Sequence, residues 1–214
     1  TQLKYLPQTA FLNGDMRFQK EDLIRLTTGM LKLFIPTDPN ANKEQVEKAS
    51  QEYTQMLTNF YEPLGERLAV STNISDSLMP DMFFIYDVTD EKKVKDYMDN
   101  YLTYLKATHS LYQAMGAEKF SVFNGAAAGP SEIYNGVEIK SYTLPNAKAA
   151  FAQLPPQMEG LAPKQENIYY AIKESKLLYS MSATAQPIKD ALERMAGTGT
   201  GFDKGAGYDK LTHA

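Results

Sequence analysis

Residues 82–88, Met-Phe-Phe-Ile-Tyr-Asp-Val, are apolar at almost every position. A strand with one wet face alternates apolar and polar side chains, so an unbroken run of this kind implies a central strand covered on both faces. Thr89-Asp90-Glu91 then reads as a helix start. A capping side chain is followed by an acid that suits the positive end of the helix dipole. The helix is predicted to run to Met115, with Gly116 as its C-terminal stop.

The same order returns at Lys176, 94 positions after Met82. Lys176-Leu177-Leu178-Tyr179-Ser180-Met181-Ser182-Ala183-Thr184 leads into Ile188-Lys189-Asp190-Ala191-Leu192, as residues 82–90 lead into Val94-Lys95-Asp96-Tyr97-Met98. Either an internal duplication or convergence on a strand–cap–helix pattern explains this. Both readings give hairpins followed by helices. The fold class expected is therefore α+β, an antiparallel sheet with helices packed on one face. The chain reads as one domain over 1–214, or as two similar halves, about 1–116 and 117–214.

Other elements follow from local patterns. Residues 43–61 carry Val46, Ala49, Tyr53, Met56 and Phe60 at helical spacing, closed by Pro63 and Gly65. Leu68, Val70, Thr72 and Ile74 alternate as in a half-buried strand over 68–74. Asn13-Gly14 makes residues 9–18 either one bulged strand or a small hairpin, and a short helix follows with Leu23, Ile24, Leu26 and Met30 inward. Residues 31–35 read as a further helical turn or a short strand, and 120–123 as a strand. Asn135-Gly136 between β-formers predicts a tight hairpin, and Glu174-Ser175 a second. Residues 145–163 are expected to cross the surface, and 197–214 to be a flexible Gly-rich tail.

Composition narrows the function. The 214 residues carry 22 Lys and Arg against 26 Asp and Glu, a net charge of −4, which is not the basic balance of a nucleic-acid binder. With no cysteine there is no disulfide, thiolate metal site or Cys nucleophile, and two histidines leave little for a metal cluster or relay. No run approaches the 18 or more apolar residues of a membrane span.

Several segments together resemble a bacterial domain family of unknown function whose members are extracytoplasmic, held by a lipoprotein or membrane signal. Leu6-Pro7-Gln8-Thr9-Ala10-Phe11-Leu12 is similar to its opening motif, and Phe84-Ile85-Tyr86-Asp87-Val88-Thr89-Asp90 to its strand before a helix. Residues 135–145 and 169–192 resemble two later segments, with Glu174-Ser175 departing from the glycine of the family's turn. The resemblance implies a periplasmic or cell-envelope location and brings no catalytic residues. The chain is expected to be a piece of something longer.

The candidate sites are few. On the long helix Val94, Met98, Leu102 and Leu105 form one stripe and Tyr97, Tyr101, Tyr104, Thr108 and Tyr112 its neighbour. Tyrosine pairs an apolar body with a hydroxyl, so Tyr97, Met98, Tyr101, Tyr104 and Tyr112 could face a ligand or partner. The competing reading makes this helix core on two sides. The Gly-rich tail lacks the spacing of a phosphate loop and follows a helix rather than a strand. Asp76, Asp81, Asp87, Asp90 and Glu91 fit strand ends and caps. His109 is expected at the surface, and no Ser-His-acid set can be named.

The expected function is thus non-catalytic: an extracytoplasmic binding or scaffold module contacting another protein or an envelope component. Two alternatives stay open. One is a carrier of a small apolar ligand in a Tyr/Met-lined groove, the other a hydrolase using the scattered carboxylates. No cofactor, metal or nucleic-acid partner is expected, and the oligomeric state stays open.

Overall fold

The structure is a computed structural model that describes residues 2–7, 10, 12–34, 38–73, 81–150 and 166–201. Its strands are β1 (Leu12–Arg17), β2 (Leu64–Asn73), β3 (Asp81–Val88), β4 (Ala127–Ala128), β5 (Glu132–Tyr134), β6 (Val137–Leu144), β7 (Glu166–Lys173) and β8 (Lys176–Ser182). The helices are α1 (Lys20–Phe34), α2 (Lys43–Tyr61), α3 (Glu91–Asp99), α4 (Tyr101–Ala114), the single turn α5 (Ala147–Ala150) and α6 (Gln186–Met195). The strands form one sheet in the order β1-β2-β3-β8-β7-β6-β4, with β5 pairing β6, and every pairing is antiparallel. The α+β class is as the sequence implies.

The helices divide between the two faces of the sheet. Tyr86 and Val88 of β3, with Leu177 and Tyr179 of β8, share a core with residues of α2, α3 and α4. Phe83 and Ile85 of β3, with Leu178 of β8, pack against Ile188, Ala191 and Leu192 of α6 and against Leu6. Helices on one face alone, as expected, would leave Phe83, Ile85 and Leu178 in water. The cost of exposing such side chains is about 1.5–3 kcal/mol each, and α6 removes it. Residues 94 apart also land on opposite faces: Phe84 lies with the first core and Leu178 with the second, Ile85 with the second and Tyr179 with the first. The 94-residue correspondence is one of sequence pattern and not a symmetry of the sheet. The segments 1–116 and 117–214 each contribute strands to this one sheet, joined where β3 pairs β8.

Local chemistry explains most boundaries. Asn42 Oδ1 accepts from the amides of Glu44 (3.0 Å) and Gln45 (3.3 Å) to start α2, and Asp90 Oδ1 accepts from Lys93 N to start α3. Thr184 sits one residue before the N-cap of α6, and its Oγ1 accepts from Gln186 N at 3.3 Å. Gly116 ends α4 at φ 70°, where a Cβ would also lie 2.6 Å from that of Asp38. The Asn135-Gly136 hairpin forms as expected, with φ of 50° and 76°.

Two expectations are corrected, and two that stood as alternatives are resolved. The long helix breaks at Asn100, whose φ and ψ of −101° and 13° are not helical and whose Nδ2 donates to Asp96 O. Asn13-Gly14 is no turn: β1 runs straight through it, with Asn13 opposite Ser71 and Gly14 opposite Val70. Residues 118–120 form a 3-10 turn instead of opening a strand: the amides of Phe120 and Ser121 bond back to Ala117 O and Glu118 O and are not offered to a neighbouring strand. Residues 31–34 continue α1. Most of the expected surface crossing at 145–163 and most of the tail at 197–214 lie outside the described residues, as do Ile74, Asp76 and His213.

Candidate functional site

The break at Asn100 puts Tyr97 and Met98 on α3 and Tyr101, Tyr104 and Tyr112 on α4. Met98 is wholly buried and Tyr101 is 6 % exposed. Tyr101 stacks on Tyr104 with ring centroids 5.0 Å apart and meets Tyr142 at 5.5 Å and Tyr179 at 6.1 Å. Tyr97 lies 5.3 Å from Phe60 and 6.2 Å from both Tyr101 and Tyr104. Tyr104 continues to Tyr53 at 6.1 Å. These separations are those of attractive ring pairs, worth about 0.5–1.5 kcal/mol each beyond their burial. Tyr112 sits apart, half-buried against Phe123. The stripe is thus core between sheet and helices, and none of the described grooves is lined by Tyr97, Met98, Tyr101 or Tyr104.

The hydroxyls find partners inside. The Tyr101 and Tyr179 hydroxyls share a 2.9 Å hydrogen bond, Tyr142 donates to Met98 O, and Tyr97 donates to Met56 O at 3.4 Å. Burial pushes Tyr101, Tyr104 and Tyr86 well above the ordinary phenol range and Tyr53 up to about 12. All stay neutral near pH 7, so none supplies a phenolate.

The carboxylates do not converge either. Asp87 accepts from Gln2 Nε2 and Lys176 Nζ, Asp90 caps α3, and Glu91 accepts from Ser175 N and Oγ. Burial raises Asp81. Among the described residues no group of three or more His, Asp or Glu side chains could hold a metal ion.

One constellation escaped the sequence. His109 is not at the surface: its side chain is 15 % exposed, its Nδ1 lies 3.0 Å from Ser121 Oγ, and its Nε2 lies 4.0 Å from Glu118 Oε1. The order acid–His–Ser resembles a hydrolase relay. Ser121, however, is 0 % exposed, and no substrate carbonyl can reach its hydroxyl. The set ties the turn after α4 to that helix. Its signal was invisible because Ser121 comes 12 residues later through a turn no pattern announced.

Among the described residues, grooves on the surface include the following three. One of about 850 Å³ between α2 and the 38–41 turn is lined by hydroxyl and amide side chains such as Ser50, Gln51 and Thr54. One of about 580 Å³ lies between α1 and α2, at Ile24, Gly29 and Thr58. The third, about 610 Å³, separates α3 from β6 and β7 and is lined by Lys92, Lys95, Asp99, Lys140, Tyr170 and Ile172.

Among the described residues the exposed large apolar side chains are Leu12, Met16, Leu26, Phe120 and Ile133, Leu26 against its expected inward place, and two of them share the β1 corner of the sheet. Leu12 and Met16, four apart and so on one side of β1, are 58 % and 47 % exposed. Gly14 lies between them, and the register sets Thr72, Val70 and Leu68 opposite these three. The next strand adds Met82 and Phe84, opposite Thr72 and Val70. Val70, Thr72, Met82 and Phe84 are only half-buried, and Val70 and Met82 belong to neither core. β1 closes the described sheet on this side. The opposite face of β1 is occupied, since Asp15 takes the Gln2 amide and both arms of Arg67.

No family model, curated protein or solved structure matches this chain.

Proposed function

We propose that the protein is a non-catalytic binding module that takes an extended segment of a partner protein along β1, with apolar side chains of that segment resting on Leu12 and Met16. The observation that carries this reading is the exposure of those two residues, 58 % and 47 %, on a strand that closes the described sheet. An edge strand offers unpaired backbone donors and acceptors, and a partner strand gains affinity from them and selectivity from alternate side chains. Half-burying Leu12 and Met16 adds about 1 kcal/mol apiece. The resemblance of residues 6–12 to an extracytoplasmic bacterial family supports an envelope partner. The packed tyrosine core supplies the rigid platform such a module needs, and no specific observation favours a carrier or a hydrolase.

The test is to pan a displayed library of random heptapeptides against the protein. Enriched peptides should alternate apolar and polar residues. Their affinity should fall about tenfold, or about 1.4 kcal/mol, in the doubly substituted Leu12→Lys, Met16→Lys protein, with Tm unchanged. No enrichment, or equal binding by both proteins, would overturn the reading.

A further inference from the structure

Tyr170 differs from the other tyrosines of the aromatic core in what its hydroxyl touches. It donates to Asp99 Oδ1 at 3.2 Å. Tyr97 and Tyr142 donate to backbone carbonyls, and Tyr101 and Tyr179 hold each other. The Tyr170 ring stacks on Tyr142 at 6.0 Å and 10°, Tyr142 meets Tyr101 at 5.5 Å, and Tyr101 opens onto Tyr104, Tyr97 and Tyr179. Contact at these separations lets an electron pass from ring to ring.

Removing an electron from a phenol makes it a strong acid, and a positive ring in an apolar interior is penalised unless the proton leaves at once. A backbone carbonyl or a second phenol is a poor proton acceptor. An ionised carboxylate is a good one, and the Lys140 ammonium beside Asp99 keeps that group ionised below the usual carboxylate range. A second tyrosine, Tyr134, also donates to a carboxylate, that of Glu193. It differs in that it takes part in none of the ring pairs found among the described residues, so no hole reaches it from the core.

We propose that Tyr170 and Asp99 form a one-electron oxidation site that collects electron holes from the aromatic core. A one-electron oxidant, of the class of peroxyl radicals, takes an electron from the ring cluster. The Tyr170 phenolic proton moves to Asp99 Oδ1, leaving a neutral tyrosyl radical and a protonated carboxyl, and the oxidant leaves reduced by one electron. A small reductant of the enediol class then returns one electron to Tyr170, and the proton goes back from Asp99. The groove of about 610 Å³ brings such a reductant to Tyr170, between walls that carry Lys92, Lys95 and Lys140 beside Glu91, Asp99 and Glu138. The inference stands independently of the β1 surface.

The experiment uses the full chain, a photo-excited ruthenium tris-bipyridine complex with persulfate as electron acceptor, and freeze-quenched EPR of the tyrosyl radical. Tyr170→Phe removes one hydroxyl and leaves Asp99 paired with Lys140. It should abolish most of the signal, while Tyr134→Phe leaves it near the wild-type level. In the wild-type protein the yield should be flat through neutral pH and fall only in acid, as Asp99 protonates. A Tyr170→Phe signal equal to wild type, a loss concentrated in Tyr134→Phe, or a yield unchanged through acid would overturn the proposal.

Discussion

The hydroxyl pair of Tyr101 and Tyr179 offers the sharpest energetic test of the tyrosine stripe as core. The rings are 6 % and 9 % exposed, and their hydroxyls meet at 2.9 Å. Tyr101→Phe removes one hydroxyl and strands the other away from water. An unpaired buried hydroxyl costs about 1–3 kcal/mol, so each single variant should lose that much. For a chain of this size that is a fall of about 2–12 °C in Tm. With both positions changed, two apolar rings of the same shape face each other and no polar atom is stranded. The doubly substituted protein should therefore lie within about 1 kcal/mol of wild type, a coupling of at least about 1 kcal/mol between the two changes. Urea unfolding of wild type, both single variants and the pair measures it. If each single variant lies within about 0.5 kcal/mol of wild type and the changes add, the hydroxyls reach water. The stripe would then line a wet groove, as a carrier requires.

Further outcomes follow from other contacts. Asp15 is pushed up by burial, but the Arg67 guanidinium and the Gln2 amide outweigh this and hold it below the usual carboxylate range. A depressed carboxyl contributes stability that is present above its unfolded value of about 3.9 and is lost as pH falls through the folded one. Asp15→Asn should therefore cost stability at pH 7 and much less in acid, read by urea unfolding at each pH. Glu174 and Ser175 both hold positive φ, 50° and 54°, in the β7–β8 turn, a conformation that favours Asn-Gly. Changing them to Asn and Gly should raise stability by about 0.5–1 kcal/mol, less whatever the Ser175 Oγ bond to Glu91 contributed. Gly129→Ala would place a Cβ 2.3 Å from Ser141 Oγ, a hydroxyl held by Pro130 O, and should destabilise by about 1–3 kcal/mol in thermal unfolding.

Much of the fold is legible where the information is local. The run at 82–88 announces a doubly covered strand, Asn135-Gly136 announces its turn, and Gly116 and Gly197 mark helix ends, each at positive φ. Asn13-Gly14 has the same letters as the hairpin and is straight. Its conformation is set by pairing with β2 more than 50 residues away, which no local pattern contains. The face chosen by α6 is likewise a long-range matter, decided by which side of β3 and β8 was still bare. The tyrosine stripe was legible as a stripe. Whether it faced a groove or a core depended on Tyr142, Tyr170 and Tyr179 from distant strands closing over it. The β1 corner gave no sequence signal, because Leu12 and Met16 look like any half-buried strand until their register with β2 and β3 is known.

Hydrogen exchange of the protein with and without a peptide selected by panning tests the β1 surface most directly. Amides of residues 12–17 should exchange more slowly in the complex, with those of residues 97–112 unchanged. Protection at 97–112, or protection that bypasses 12–17, would contradict a partner strand on β1 and return the binding site to the helices.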